Sequence, residues 1–175
     1  MRINATMSGT YTIGSGGNFT TLTAAAAAYN NNCQTGPVVF SLISSNYSTG
    51  ETFPIVFNKN SSSSATNTLT IKPASGVTAT IYGVLNNDAL VKVYGDYITI
   101  DGSNNGSNSR NLTIWNEGSV KPRVLLFGSN STNACSNNTL KNCLIRNGTT
   151  DAGAIVVSDA GTIANPGYFN NISIV

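Results

Sequence analysis

Seven carboxylates, Glu51, Asp88, Asp96, Asp101, Glu117, Asp151 and Asp159, stand in a chain that has no histidine. The commonest general base and the commonest metal ligand are therefore both missing. Acid–base chemistry would fall to a pair of carboxylates, and Asp96 and Asp101 share one segment. Their odd spacing points them to opposite faces of an extended strand, unlike a cooperating dyad. Asp101-Gly-Ser103-Asn-Asn105-Gly106 matches the opening of an oxygen-ligand calcium loop, with glycine where a sharp turn is needed. The position that should bring a bidentate Glu is Leu112, and a plain turn explains the same residues. The expectation is no cofactor, with Asp101, Ser103 and Asn105 as the one calcium-like set.

Of three cysteines, Cys33, Cys135 and Cys143, the last two flank an Asn-rich turn and are the disulfide candidate. The alternative is that Cys143 is a small buried core residue. No Cys-x-x-Cys pair suggests structural zinc. Gly14-Ser-Gly16-Gly17 lies between a strand and a helix but lacks the third glycine of a dinucleotide fingerprint, so it reads as a turn. Tyr47, Tyr94, Trp115 and Tyr168 either stack on sugar rings or pack on the fold itself. Tyr94, Asp96, Asp101 and Trp115 form the candidate ligand-binding set, and no residue is assigned a catalytic role.

Composition narrows the partners. A net charge of +2 without any Lys/Arg cluster argues against nucleic acid. Charged residues make up only 9% of the chain, and polarity comes from Asn, Ser, Thr and 17 glycines. Such a surface suits an extracellular protein. No stretch approaches the ~20 apolar residues of a membrane-spanning helix. Met1-Arg2-Ile3-Asn4 is no secretory signal; either a leader was removed or export was never intended, and the composition favours the first.

The elements that would position these groups follow a simple order. Phe19-Thr-Thr-Leu-Thr-Ala-Ala-Ala-Ala-Ala-Tyr29 predicts one helix across 19–32, capped by Asn18 or Thr20 and ended by left-handed Asn30-Asn-Asn32. Phe19, Leu22, Ala26 and Tyr29 share its apolar face. From position 38 onward the pattern is short β-branched strands between turn residues, including Val38–Ile43, Leu69–Lys72, Leu90–Val93, Tyr97–Ile100, Val124–Phe127 and Leu140–Ile145.

Two families of segments recur at roughly thirty residues. One is Asn111-Leu-Thr-Ile-Trp-Asn116, Asn142-Cys-Leu-Ile-Arg-Asn147 and Asn170-Asn-Ile-Ser-Ile-Val175. The other is Leu90–Val93, Val124–Phe127 and Ile155–Val157. A strand-only period of this size belongs to a solenoid whose coils bury their faces by stacking, with Asn free to form ladders. The expected fold is all-β, a right-handed parallel β-helix with one N-terminal capping α-helix, as a single domain over 1–175.

Gly17-Asn-Phe-Thr-Thr-Leu-Thr-Ala-Ala-Ala-Ala-Ala resembles the amphipathic cap of pectate-lyase-like and pectin-methylesterase-like β-helix proteins. Gly95-Asp-Tyr-Ile-Thr-Ile-Asp-Gly102 and Asn137-Asn-Thr-Leu-Lys-Asn-Cys-Leu-Ile145 look like rungs of that superfamily. Gly9–Gly14, Phe19–Thr21 and Gly36–Phe40 are similar to β-helix regions of large secreted Bacteroidetes-type proteins. The resemblance covers essentially the whole chain, and it implies adhesin or surface-fibre modules as readily as enzymes. Enzymatic members need paired carboxylates, or calcium-binding carboxylates with an Arg or Lys base, and the motifs supplying them are missing here.

The expectation is thus a non-catalytic structural or adhesive module of a secreted or cell-surface protein. The alternative is a polysaccharide-binding or polysaccharide-processing β-helix. Partners are expected to be further repeats or identical subunits stacking at the C-terminal edge, with the segment Arg2 to Met7 adding a strand across the junction.

Overall fold

The computed structural model describes residues 5–129, 133–149, 151–159 and 169–175. The strands are β1 (Thr6–Ile13), β2 (Cys33–Leu42), β3 (Asn46–Tyr47), β4 (Ile55–Phe57), β5 (Leu69–Pro73), β6 (Ala79–Gly83) and β7 (Ala89–Val93). They continue with β8 (Ile98–Asp101), β9 (Leu112–Asn116), β10 (Arg123–Ser129), β11 (Cys135–Lys141), β12 (Cys143–Asn147), β13 (Ile155–Asp159) and β14 (Phe169–Ile174). One helix, α1 (Leu22–Asn31), lies between β1 and β2.

From β2 onward, every third strand pairs in parallel with the last of its kind. Sheet A has six strands in the order β1-β2-β5-β8-β11-β14, sheet B four in the order β12-β9-β6-β3, and sheet C four in the order β13-β10-β7-β4. The chain is a parallel β-solenoid of about five turns, nearly all-β, as its short apolar strands require.

Alternation along each strand sends one set of side chains inward. Register then stacks like on like: Val38, Leu69 and Ile98, and Phe40, Ile71 and Ile100 in sheet A; Phe57, Val93 and Phe127 in sheet C. All of these are buried. Outward in sheet A runs a lane of Thr10, Val39, Thr70, Thr99, Thr139 and Ser173. Short β-branched neighbours of this kind stabilise adjacent strands in pairs.

In the first coil, α1 takes the place of a sheet C strand. Its Asn30 side chain imitates a strand residue, donating to the Val56 carbonyl at 2.8 Å and accepting from the Asn58 amide at 2.8 Å. Leu22, Ala25, Ala26 and Tyr29 face the core.

The ends of this helix differ from expectation. Thr21 is the N-cap, accepting from the Ala24 amide at 3.0 Å. Asn18 instead ties the turn to Thr12, and Phe19 lies before the helix, bridged to Ile13. Asn32 is extended rather than left-handed (φ −119°), so β2 starts at once with Cys33.

Three further expectations are corrected. Thr6 and Met7 already pair with Cys33 and Gln34 of β2, so these two residues belong to the sheet and are not a loose arm, while residues 2–4 of the expected segment lie outside the described residues. Leu140–Ile145 is two strands, because Asn142 adopts a left-handed φ of 55° and turns a corner between sheets A and B. Asn170–Val175 pairs with β11 in sheet A, whereas Asn111–Asn116 and Asn142–Asn147 lie together in sheet B. The second recurring family stacks as expected, Val91 on Leu125 on Ile155.

Tyr97, Asn137 and Asn171 occupy matched positions at the entrance to sheet A, with φ of 59°, 57° and 56°. The Asn171 amide donates to the Asn137 carbonyl at 2.9 Å, one rung of an Asn ladder on the outside of the coil. Asn tolerates left-handed backbone, whereas a bulky ring there is strained. Tyr97→Asn is therefore expected to raise stability by about 0.5–1 kcal/mol, roughly 1–4 °C in Tm for a chain of this size. A thermal melt showing a loss would mean that packing of the ring outweighs the strain.

Candidate functional site

Tyr94 and Asp96 sit on the turn after β7. The Tyr94 ring packs against Gly128 one coil on, so closely that a Cβ there would lie 2.4 Å from its edge. Asp96 bridges in two directions: Oδ2 lies 3.0 Å from Lys59 Nζ and Oδ1 accepts from the Ser136 amide at 2.8 Å. This carboxylate ties three successive turns together.

Asp101 ends β8 and does the same work with a different lysine. Its Oδ1 accepts from Ser103 N at 3.0 Å and Asn142 Nδ2 at 2.9 Å, and Oδ2 lies 3.3 Å from Lys141 Nζ. Burial alone would raise its pKa, but the bonds from Asn142 and Ser103 and the Lys141 charge together hold it below the ordinary carboxylate value. The structure thus gives Asp96 and Asp101 separate lysine partners.

Asp101, Ser103 and Asn105 do come together, with their oxygens directed at donors of the chain itself. Asn105 Oδ1 accepts from Ser103 Oγ at 2.9 Å, Ser107 N at 3.0 Å, Ser107 Oγ at 2.7 Å and Ser109 Oγ at 3.0 Å. A cation would have to displace these donors and stand beside Lys141. Among the described residues no group of three His, Cys, Asp or Glu side chains could hold a metal ion.

Trp115 lies on the outer face of sheet B, in register with Tyr82 below and Arg146 above. The Tyr82 and Trp115 rings meet edge to face at 5.0 Å, and the Arg146 guanidinium sits 4.2 Å from the centre of the indole ring. Tyr82 also donates its hydroxyl to Glu117, and this bond raises the phenol pKa. The indole is thus engaged by both neighbouring rungs, by Tyr82 on one side and Arg146 on the other. Sequence reasoning named Trp115 but did not group Tyr82, Glu117 and Arg146 with it. The signal was the recurrence itself, since Thr80-Ile-Tyr82, Thr113-Ile-Trp115 and Leu144-Ile-Arg146 are one segment repeated.

Cys135 and Cys143 are both thiols, on β11 and β12. Cys135 Sγ lies 3.4 Å from the Val93 carbonyl and Cys143 Sγ 3.2 Å from the Lys141 carbonyl. Burial pushes each thiol up to about 12, which makes both poor nucleophiles. Tyr168 lies outside the described residues.

A depression of about 320 Å³ opens between the Gly14–Gly16 turn, Ser44, Tyr47 and Glu51. Its ionisable groups are already paired. Tyr47 donates to the Ile13 carbonyl at 2.6 Å, and Glu51 accepts from Leu22 N and Thr23 N at 2.7 Å each. Glu51 fills the anion position at the start of α1 where a phosphate would otherwise sit.

Comparison with known proteins finds no matching family model, no matching curated protein and no matching solved structure.

Proposed function

We propose that this chain is a non-catalytic structural module whose function lies in a rigid solenoid and its Asn-, Ser- and Thr-covered faces. The observation that carries the reading is how its acids are used. Glu51 caps α1; Asp88 holds Lys92 and the Ala89 amide; Asp96 and Asp101 each hold a lysine and a neighbouring turn. Glu117 accepts from Tyr82, and Asp151 from Lys121 N and Thr149 Oγ1. A reaction centre needs a carboxylate aimed at a cavity, and each of these six is aimed at its own chain.

The low charge content and the uncharged polar surface support a secreted or cell-surface setting, within the β-helix class that the cap and rung segments resemble. A second reading, a glycan-binding module, has one observation in its favour: Tyr82, Trp115 and Arg146 form a partly exposed column on sheet B. Trp115 is already engaged by Tyr82 and Arg146 within the column, so the structural reading is preferred. The test is product release from pectins, alginate and host glycans, together with glycan-array binding. We expect neither turnover nor specific binding. Turnover would overturn the reading, and binding abolished by Trp115→Ala without turnover would replace it with the lectin-like one.

A further inference from the structure

Two Asn-Gly pairs occur in the chain, Asn105-Gly106 and Asn147-Gly148. Such a pair carries its own reactants, an amide carbon on one residue and a backbone nitrogen on the next. Glycine puts no Cβ in the way of a close approach to that nitrogen. Attack closes a cyclic imide, and its ease in a folded chain depends on how the surroundings treat the asparagine amide. The fold wires these two asparagines in opposite senses.

Asn105 stands in the exposed loop after β8. Its Oδ1 gathers Ser103 Oγ at 2.9 Å, Ser107 N at 3.0 Å, Ser107 Oγ at 2.7 Å and Ser109 Oγ at 3.0 Å. The bond from Ser107 N closes a turn that contains the Gly106 nitrogen, so the side chain is folded back toward the peptide that would attack it. Among the described residues neither the Gly106 amide nor Asn105 Nδ2 has a hydrogen-bond partner. Nothing lies within 4 Å of a would-be Cβ on Gly106, so the peptide has room to turn.

Asn147 has the reverse arrangement. Its Nδ2 donates to Pro122 O at 3.0 Å and Ala152 O at 3.2 Å, while its Oδ1 is without a partner among the described residues. It belongs to β12 and pairs with Asn116 of β9. Gly148 is pressed against the preceding coil, where an added Cβ would lie 2.3 Å from Gly118 O. Ring closure there would have to disturb the strand pairing and strip the leaving nitrogen of both acceptors.

Attack by Gly106 N on Asn105 Cγ drives the carbonyl electron pair onto Oδ1. The donors already gathered there meet the developing charge, as in an oxyanion hole. The Gly106 nitrogen gives up its proton to solvent, the N–Cγ bond forms and the Cγ–Nδ2 bond breaks. Nδ2 takes up a proton and leaves as ammonia. Water then adds to either carbonyl of the imide and opens it, giving an aspartyl or an isoaspartyl residue. Water is the only co-reactant, and nothing is oxidised or reduced. In the aspartyl product a carboxylate oxygen accepts the same donors.

We propose that Asn105-Gly106 is a self-modifying site, at which the folded chain converts Asn105 through a cyclic imide to aspartate or isoaspartate, while the same fold protects Asn147-Gly148. The substrate is the chain itself, so this proposal stands or falls independently of the structural reading above. Each conversion replaces a neutral amide with a carboxylate and lowers the net charge of +2 by one.

The test is incubation of the purified chain in heavy-oxygen water at neutral and mildly alkaline pH, followed by peptide mapping in ordinary water. Asn105 should gain one heavy oxygen, faster at the higher pH because the Gly106 nitrogen attacks once deprotonated. The same chain unfolded in urea supplies the reference rate at each pair. Relative to it, the folded chain should convert Asn105 about tenfold faster and Asn147 at least about tenfold slower. That comparison needs no variant. Ser107→Ala, at an exposed position, removes one hydroxyl donor and should slow the folded conversion about tenfold, with a circular dichroism spectrum like the parent's. The proposal is overturned by a folded chain that converts Asn105 no faster than the unfolded one, by equal folded rates at the two pairs, or by a Ser107→Ala variant as fast as the parent.

Discussion

Asn116→Ala is expected to destabilise the fold by about 3–5 kcal/mol, seen as a fall in Tm of roughly 10 °C. Asn116 is fully buried at the corner between sheets B and C. Its Oδ1 accepts from Leu85 N at 2.8 Å and Gly118 N at 3.1 Å, and its Nδ2 donates to Leu85 O at 2.9 Å and Arg123 O at 2.8 Å. One side chain therefore serves as a substitute strand for two loops, one on its own coil and one on the coil below. Alanine leaves two amides and two carbonyls without partners in a place water does not reach. Asn116→Asp should cost at least as much, since a carboxylate keeps the two accepted bonds but faces two carbonyl oxygens. Asn147 is the internal comparison. It occupies the same register position one coil on, yet it is only half-buried and its Oδ1 has no partner among the described residues. Asn147→Ala is expected to cost about 1 kcal/mol. Equal losses at the two sites, or a loss below about 1 kcal/mol at Asn116, would show that the amide is not the anchor described here.

The Asn corners also explain which parts of the fold were legible in the sequence. Short apolar segments recurring at a fixed interval of about thirty residues point to a parallel solenoid, in which each coil buries its strands by stacking on the next. They do not identify the sheet to which each strand belongs. Asn138-Thr-Leu140 in sheet A and Asn111-Leu-Thr-Ile114 in sheet B have the same form, with Asn at the corner and apolar residues facing in. Asn170–Val175 was therefore matched to sheet B by its composition and belongs to sheet A by its pairing. The corner at Asn142 was hidden for a related reason. Leu140 and Cys143 both point inward across it, so the apolar pattern runs on while the backbone turns. Helix boundaries failed because capping depends on a distant partner: Glu51 reaches the start of α1 from the following coil.

Among the site residues, the sequence supplied members and the register supplied their company. Asp96 and Asp101 were expected to be separated, and each has its own lysine, Lys59 and Lys141. Neither lysine was identifiable as a partner from local sequence, since each contact joins different coils. Trp115 was picked as a solitary ring, yet its environment is set by Tyr82 and Arg146 on the neighbouring rungs. In a solenoid the residues one coil away are the true neighbours, and small variations in coil length shift them without altering any local motif.

Gly102→Ala is the second change expected to have a large effect, and it arises from coil spacing rather than hydrogen bonding. Gly102 is buried just after β8, where its amide donates to Lys141 O at 2.9 Å and its carbonyl accepts from Asn111 N at 2.8 Å. An added Cβ would lie 1.8 Å from the Asn142 carbonyl oxygen, 2.5 Å from its carbon and 3.0 Å from Cys143 N. All three atoms are backbone, so no rotamer change relieves the contact. The coil carrying β11 and β12 would have to lift by more than an ångström, breaking bonds on both sides of the Asn142 corner. A loss of at least about 3 kcal/mol is expected, measured as a lower urea midpoint with an unchanged slope. Gly106→Ala, four residues on in the same loop, separates space from backbone strain. Gly106 has φ of +77° and nothing within 4 Å of its would-be Cβ, so alanine there bears only the left-handed penalty of about 1 kcal/mol. If the two substitutions cost the same, the close contact between coils at Gly102 is not what sets the rung spacing at this corner.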